Sequence, residues 1–177
     1  MTRLSQNRRK ILSYASILAV AWMSVGAASK LGAQMATKVD RIVVEKSKRT
    51  LTLMDGTKAV KTYKVALGGQ PVGAKDRQGD HKTHEGIYSV DAKNPNSQFY
   101  KALHLSYPNP ADRANARKLG VSPGGDVEIH GLGSKWGWLG AKHRLTDWTD
   151  GCVALTNEEI DEIYPLIKVG TPVEIRP

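Results

Sequence analysis

Cysteine occurs once in this chain, phenylalanine once, and aromatic residues make up only 6% of it. A single cysteine excludes an internal disulfide, so the fold has to be held by a packed core in whatever compartment it works. No internal repeat, low-complexity segment or tight structural-zinc spacing of cysteine and histidine is present, which removes solenoids, arrays and zinc fingers from consideration. Acid is missing from the first 30 residues, and the only long apolar run lies within residues 11–28.

What is there begins with that run. Met1 to Lys10 carry Arg3, Arg8, Arg9 and Lys10, and Ile11 to Ala28 follow. Charge followed by an apolar stretch is the order of an export signal, and Gly26, Ala27, Ala28 and Ser29 suit a signal peptidase. Ser13, Tyr14, Ser16 and Ser24 dilute a run already near the lower limit for spanning a bilayer. Residues 1–30 therefore read as an export signal peptide or N-terminal anchor, and residues 31–177 as one domain with one core. The expected location is the periplasm or cell envelope, with membrane contact only through an uncleaved leader.

The formal net charge of +9 changes meaning once that leader is set aside. Five of the 26 Lys/Arg fall in residues 1–30, so residues 31–177 keep 21 bases against 17 acids, a scattered +4. Nucleic acid is not an expected partner. A mildly basic exported domain remains compatible with an anionic polymer such as cell wall.

Along the domain most segments read as strands. Arg41–Val44 and Thr50–Met54 are β-branched runs split by the charged turn Lys46–Arg49, and Asp55-Gly56 turns the chain into Val60–Leu67, which makes a three-strand meander. Gly68 to Glu85 is too rich in glycine and charge for a strand and is expected to be a surface loop. Gly86–Val90 and Leu103–Leu105 read as further strands. Ala111–Leu119 reads as a helix begun by the Pro108-Asn109-Pro110 cluster and closed by Gly120. Thr156-Asn157-Glu158-Glu159 is a capping box with Ile160, Ile163 and Ile167 on one helical face. Val173–Ile175, after Pro172, reads as a closing strand at a sheet edge. The expected class is mixed β-rich α+β with one or two helices.

The lone thiol, Cys152, follows the turn Thr149-Asp150-Gly151. Taken alone it reads as a small buried hydrophobe. As a nucleophile it needs a base, and His130, which ends the apolar strand Val127–His130 ahead of Gly131, is the candidate. Gly151 lets the N–H groups of Gly151 and Cys152 face a developing oxyanion. Between the two catalytic candidates lie Trp136 and Trp138, with Trp148 just before the thiol. Aromatics among glycines suit either a lid with substrate contact or plain packing on the core.

Ile129-His130-Gly131 with Thr149-Asp150-Gly151-Cys152-Val153 resembles the signature of the YkuD-type L,D-transpeptidases, cysteine enzymes that remodel peptidoglycan. Arg77–Asp80 with Thr83–Val90 resembles the start of that domain, and the similarity runs from Arg41 to Ile175. The resemblance implies a mixed β cradle with Cys152 as nucleophile and His130 as base, its imidazole oriented by the carbonyl of Gly131. The family's oxyanion donors map onto Asp150, Gly151 and Cys152. The implied partners are peptidoglycan stem peptides, no cofactor or metal is implied, and the implied intermediate is a thioester resolved by an amine or by water.

The chain departs from the family pattern at Asp150, where histidine is usual, at Ala154, where arginine is common, and at Thr83-His84-Glu85-Gly86. A carboxylate beside the thiol disfavours thiolate unless it pairs with His130 or a cation such as Arg144. Asn94–Tyr100, Tyr107–Asn109 and Asp112–Ala114 resemble the branch containing the enzyme that detaches a lipoprotein from peptidoglycan. That leaves transferase, L,D-carboxypeptidase and lipoprotein-releasing amidase open, with a wall-linked lipoprotein as a partner in the last case. From other classes there remain a non-catalytic wall-binding module and a zinc site. The zinc site would draw on His130, His143, Asp150 and Cys152, or on Asp80, His81, His84 and Glu85.

Overall fold

A computed structural model describes residues 38–177. The expected leader at residues 1–30 lies outside the described residues. β1 (Arg41–Glu45) and β2 (Thr50–Asp55) pair antiparallel with Val43 opposite Thr52. Their alternation buries Ile42, Val44, Leu51 and Leu53 on one side. β3 (Lys58–Lys64) folds back onto β2 and completes the meander. The run expected to continue to Leu67 instead leaves β2 after Lys64, and Ala66 exchanges backbone hydrogen bonds with Ala154 at 3.1 and 2.9 Å.

β4 (Gly86–Ser97) and β5 (Tyr100–Leu105) precede α1 (Pro110–Leu119), β6 (Glu128–His130) and α2 (Gly133–Trp136). A 3-10 stretch Gly137–Leu145 follows, then β7 (Val153–Ala154), α3 (Asn157–Ile163) and β8 (Pro172–Arg176). The strands are ordered β3-β2-β1-β8-β4-β5-β6-β7, antiparallel except for the β1–β8 and β6–β7 pairs. β4 serves both halves: Gly86–Ser89 pair with β8 and the remainder with β5, with register shifts after Val90 and Asn94. Those irregularities bend the strand, and the Ala66–Ala154 bridge brings the two ends of the strand order together. The result is the mixed β cradle that was expected, wrapped around one apolar core that includes Leu67, Leu103, Ile129, Leu155 and Ile160.

Both longer helices begin where side chains satisfy the first free N–H groups. The Asn109 side chain accepts from Ala111 and Asp112 while Asp112 accepts from the Asn109 N–H, and Gly120 closes α1 at φ 68°. Thr156 and Glu159 make the same reciprocal pair for α3. Lys93 from β4 donates to the carbonyls of Tyr164 and Ile167 at 2.6 and 2.7 Å and finishes that helix. Ile160, Ile163 and Ile167 are buried together.

Two expectations are corrected. β8 is an inner strand between β1 and β4, and Pro172 is accommodated because it is the strand's first residue. The segment 68–85 is irregular but folds against the body, with Thr83 and His84 buried. Lys46 holds it there: its buried ammonium donates to Gly73 O at 2.6 Å, Thr83 O at 2.8 Å and Glu85 Oε1 at 2.8 Å. Three acceptors offset the desolvation of that charge. Among the described residues no helix is long and apolar enough to cross a membrane.

Candidate active site

The thiol and the imidazole stand on neighbouring parallel strands. Ile129 lies opposite Val153 and His130 opposite Ala154. Cys152, one residue before β7, therefore faces Glu128, whose N–H approaches Sγ at 3.4 Å. His130 is two positions further along. A two-residue advance on a strand spaced ~4.8 Å away separates the Cα atoms by about 8 Å, within the combined reach of the two side chains.

The turn before the thiol is fixed by Thr149, whose hydroxyl donates to Cys152 O at 2.8 Å and accepts the Gly151 N–H at 3.1 Å. Gly151 has φ +135°, and a Cβ there would lie 2.8 Å from Lys82 O, so only glycine fits. The Gly151 N–H is thus committed to Thr149 and is removed from the oxyanion role expected of it. Among the described residues nothing accepts from the N–H of Cys152. Asp150 is exposed and pairs with neither His130 nor Arg144: its carboxylate meets His81 Nδ1 at 2.7 Å. Arg144 is held by Glu159.

His130 is buried, stacked on Phe99 at 4.3 Å between ring centroids and touched edge-on by Trp148 at 6.0 Å. Its Nδ1 lies 2.6 Å from Gly131 O. A carbonyl only accepts, so Nδ1 carries the proton and Nε2 presents a lone pair. Gly131 sits in a tight place, where a Cβ would lie 3.0 Å from Phe99 O and 2.7 Å from Asn157 Oδ1. That oxygen accepts the Leu132 N–H at 2.8 Å and pins the chain leaving β6 to the start of α3.

Burial sets the protonation of both groups. It lowers the imidazole of His130 to about 4, against the favourable Gly131 carbonyl. It raises the thiol of Cys152 to about 11, partly countered by the Glu128 N–H and by Lys75, while the carboxylates of Glu128 and Asp150 push the same way as burial. The resting pair is a neutral thiol beside a neutral imidazole.

One cavity is lined by the thiol, and a second by rings around the imidazole. Cys152 and Asp150 line the first, of about 300 Å³, together with Lys75, Gln78, His81 and the Gly124–Val127 segment. The other, about 330 Å³ and mostly apolar, is lined by Leu132, Trp136, Leu139, His143 and Trp148. Trp138, expected with them, points away: it is 76% exposed and its Nε1 donates to Lys135 O at 3.1 Å.

The two zinc constellations are not assembled, and among the described residues no group of three or more His, Cys, Asp or Glu converges. Asp80 binds Lys75, His81 binds Asp150, Glu85 binds Lys46, and His84 lies between Tyr88 and Tyr107. Phe99 and Lys75 are parts of the site that the sequence reading does not single out, while His81, read as a possible metal ligand, and Asn157, read as part of a helix cap, turn out to be its supports. Phe99 is the chain's only phenylalanine, and Lys75 carries no local mark.

Residues 39–175 match the model of the L,D-transpeptidase catalytic domain, YkuD. YafK of Escherichia coli strain K12, which carries an L,D-transpeptidase name, is 33% identical over 133 residues, covering 71% of this chain and 46% of YafK. The chain thus spans about half the length of that curated relative. Among solved structures, the helical cell shape determining protein Pgp2 of Campylobacter jejuni superposes with TM-score 0.61 at 25% identity, over 77% of this chain and 47% of Pgp2. Bd1075 of Bdellovibrio bacteriovorus gives 0.54 at 25% identity, over 78% and 48%. An L,D-transpeptidase of Mycobacterium smegmatis, at 15% identity over 77% of this chain and 58% of that one, shares the fold at TM-score 0.51. With most of the described residues covered by the family model, the chain belongs to the L,D-transpeptidase catalytic-domain family.

Proposed function

We propose that this domain is a cysteine L,D-transpeptidase that cleaves and rejoins peptidoglycan stem peptides through a thioester on Cys152, working outside the cytoplasm behind the leader at residues 1–30. The observation that carries the reading is the fixed tautomer of His130: Nδ1–H is held by Gly131 O, and Nε2 is left to take a proton on the strand next to the thiol.

With both groups neutral at rest, proton transfer accompanies attack rather than preceding it. Sγ adds to the scissile carbonyl as its proton passes to His130 Nε2, and the N–H of Cys152 faces the oxygen that gains charge. Collapse breaks the C–N bond, His130 returns the proton to the departing amine, and the thioester remains. An acceptor amine then attacks the thioester, gives its proton to Nε2, and the thiol is restored.

Incubation of the purified protein with peptidoglycan, followed by mass analysis of the muropeptides, tests this. New crosslinked dimers are the expected result. Trimmed stems without dimers mean that water resolves the thioester, and released lipoprotein-linked residues mean an amidase. An unaltered digest, with no acyl adduct on Cys152, leaves a wall-binding module.

A further inference from the structure

We propose that Lys75 reads a free carboxylate on the peptide presented to Cys152, an assignment that rests on the transpeptidase reading and gives it a specificity residue. Lys75 comes from the segment 68–85 and lines the thiol cavity. Its side chain is only 5% exposed, an unusual state for lysine. Its Nζ lies 3.8 Å from the position a Cβ would take on Gly151, the residue before the nucleophile. The ammonium is therefore at the wall of the reaction cavity and not at its outer rim.

The surroundings hold that charge in place without using it up. Asp80 accepts from Nζ at 2.7 Å and is the one partner of Lys75 among the described hydrogen bonds. Asp80 is itself fixed by the N–H groups of Asp76, Arg77 and Lys82 at 2.8, 3.1 and 3.0 Å. The carboxylate is thus anchored by the backbone, and the lysine is anchored by the carboxylate. An ammonium has three N–H donors, so two remain for a ligand in the cavity.

A cation is repelled there and a neutral carbonyl gains only an ordinary hydrogen bond, whereas a carboxylate makes stronger, charge-assisted hydrogen bonds in a partly desolvated place. A stem peptide offers two such groups near the scissile bond: the α-carboxylate of its terminal D-residue and the side-chain carboxylate of a third-position diamino acid. The remaining charged residues of the cavity explain why Lys75 is singled out. His81 is occupied by Asp150, and Asp126 is a fully exposed acid.

The test uses three synthetic stem tetrapeptides: one with both carboxylates free, one amidated at the C-terminus, and one amidated at the diamino acid. Turnover is measured with the wild type, Lys75→Met and Lys75→Arg, with unfolding midpoints taken alongside. The wild type is expected to prefer the free peptide over one of the two amidated forms by roughly 10- to 100-fold in kcat/KM. That preference collapses toward one in Lys75→Met and is partly kept in Lys75→Arg. The amidation that matters identifies the carboxylate.

Equal turnover of all three peptides by the wild type overturns the assignment even if Lys75→Met fails to fold. A Lys75→Met loss shared equally by all three peptides also overturns it, because thiol tuning or loop anchoring would then account for the residue. No turnover of any peptide by the wild type is a different failure: it refutes the transpeptidase reading, and the assignment falls with it.

Discussion

The two sides of the site are built by opposite means. On the imidazole side, β6 delivers His130 into a shell of rings, Phe99 stacked on it, Trp148 edge-on and His143 beyond, with the Gly131 carbonyl as the polar anchor. On the thiol side a long irregular segment is folded against the turn at Thr149–Cys152, so that Lys75, His81 and Asp150 line a half-polar cavity. A base needs one tautomer and one orientation, which packing supplies. A nucleophile has to be reached by its substrate, which requires room. The difference teaches that the imidazole is set by packing and the thiol by an irregular segment, two pieces of chain joined by the β6–β7 pairing and by Trp148, which precedes the thiol turn and touches His130.

The sharpest way to break this division is to remove one reactive group from each side and measure acylation of the protein by a carbapenem-type acyl donor. Cys152→Ala is expected to abolish the mass adduct. His130→Ala keeps the thiol but loses the proton acceptor, and its acylation rate is expected to fall by about 10²- to 10⁴-fold. If His130→Ala reacts at the wild-type rate, the base lies elsewhere and the comparison collapses.

Next in size is the turn itself. A methyl group at Gly151 would meet Lys82 O at 2.8 Å at a φ of +135°. Gly151→Ala is therefore expected to cost on the order of 2–4 kcal/mol in denaturant unfolding. The damage is specific to the thiol side, because Lys82 belongs to the folded-back segment. Acylation is expected to drop further than the stability loss explains. A variant with full stability and full acylation would show that the segment does not fix the turn.

How much of this was open to a reader of the sequence follows from how local each signal is. The meander, the helix starts at Asn109 and Thr156, the terminator Gly120 and the pair His130 and Cys152 are each marked within a few residues; the helix ends stand where they are expected, the third strand of the meander stops at Lys64, and the pair lies on adjacent strands. The placement of β8 was misjudged because nothing near Pro172 reports which strands flank it; that depends on β1 and β4, far away in the chain. Asp150 shows the same limit more sharply. Its charge beside the thiol was legible, but its partner His81 is 69 residues distant and comes from a segment read as a solvated loop. Lys46 and Lys75 look like any surface lysine in sequence, and only folding reveals that both side chains are covered.

Acid provides a third probe, because histidines buried as neutral rings occur on both sides. Burial lowers His84 to about 3, and His130 and His143 to about 4. In the unfolded chain all three take a proton near the usual ~6.5. Between that pH and their folded values the unfolded state binds more protons, so stability falls as the pH is lowered through the window. His84 is wedged between Tyr88 and Tyr107, and neither ring nitrogen has a partner among the described residues. His84→Phe keeps the ring packing and removes the titration. Its stability is expected to fall less steeply from pH 6.5 to 4, by about 1.4 kcal/mol per pH unit for the one proton removed. Parallel slopes in the two proteins would mean that His84 is not buried neutral.

The smallest expected effect separates the tryptophans, which were indistinguishable in sequence as lid candidates. Trp136 is 45% exposed but lines the apolar cavity with Trp148, next to the shell that holds His130. Trp138, 76% exposed, bonds only to Lys135 O in its own turn. If that cavity takes part in turnover, Trp136→Ala should lower kcat/KM several-fold by removing an aromatic wall, while Trp138→Ala should leave it unchanged. Unfolding midpoints should barely move in either case, since both residues sit at the surface. Equal losses would restore the pair as one lid. No loss in either would assign the apolar cavity to packing of the imidazole shell and leave substrate recognition to the polar side alone.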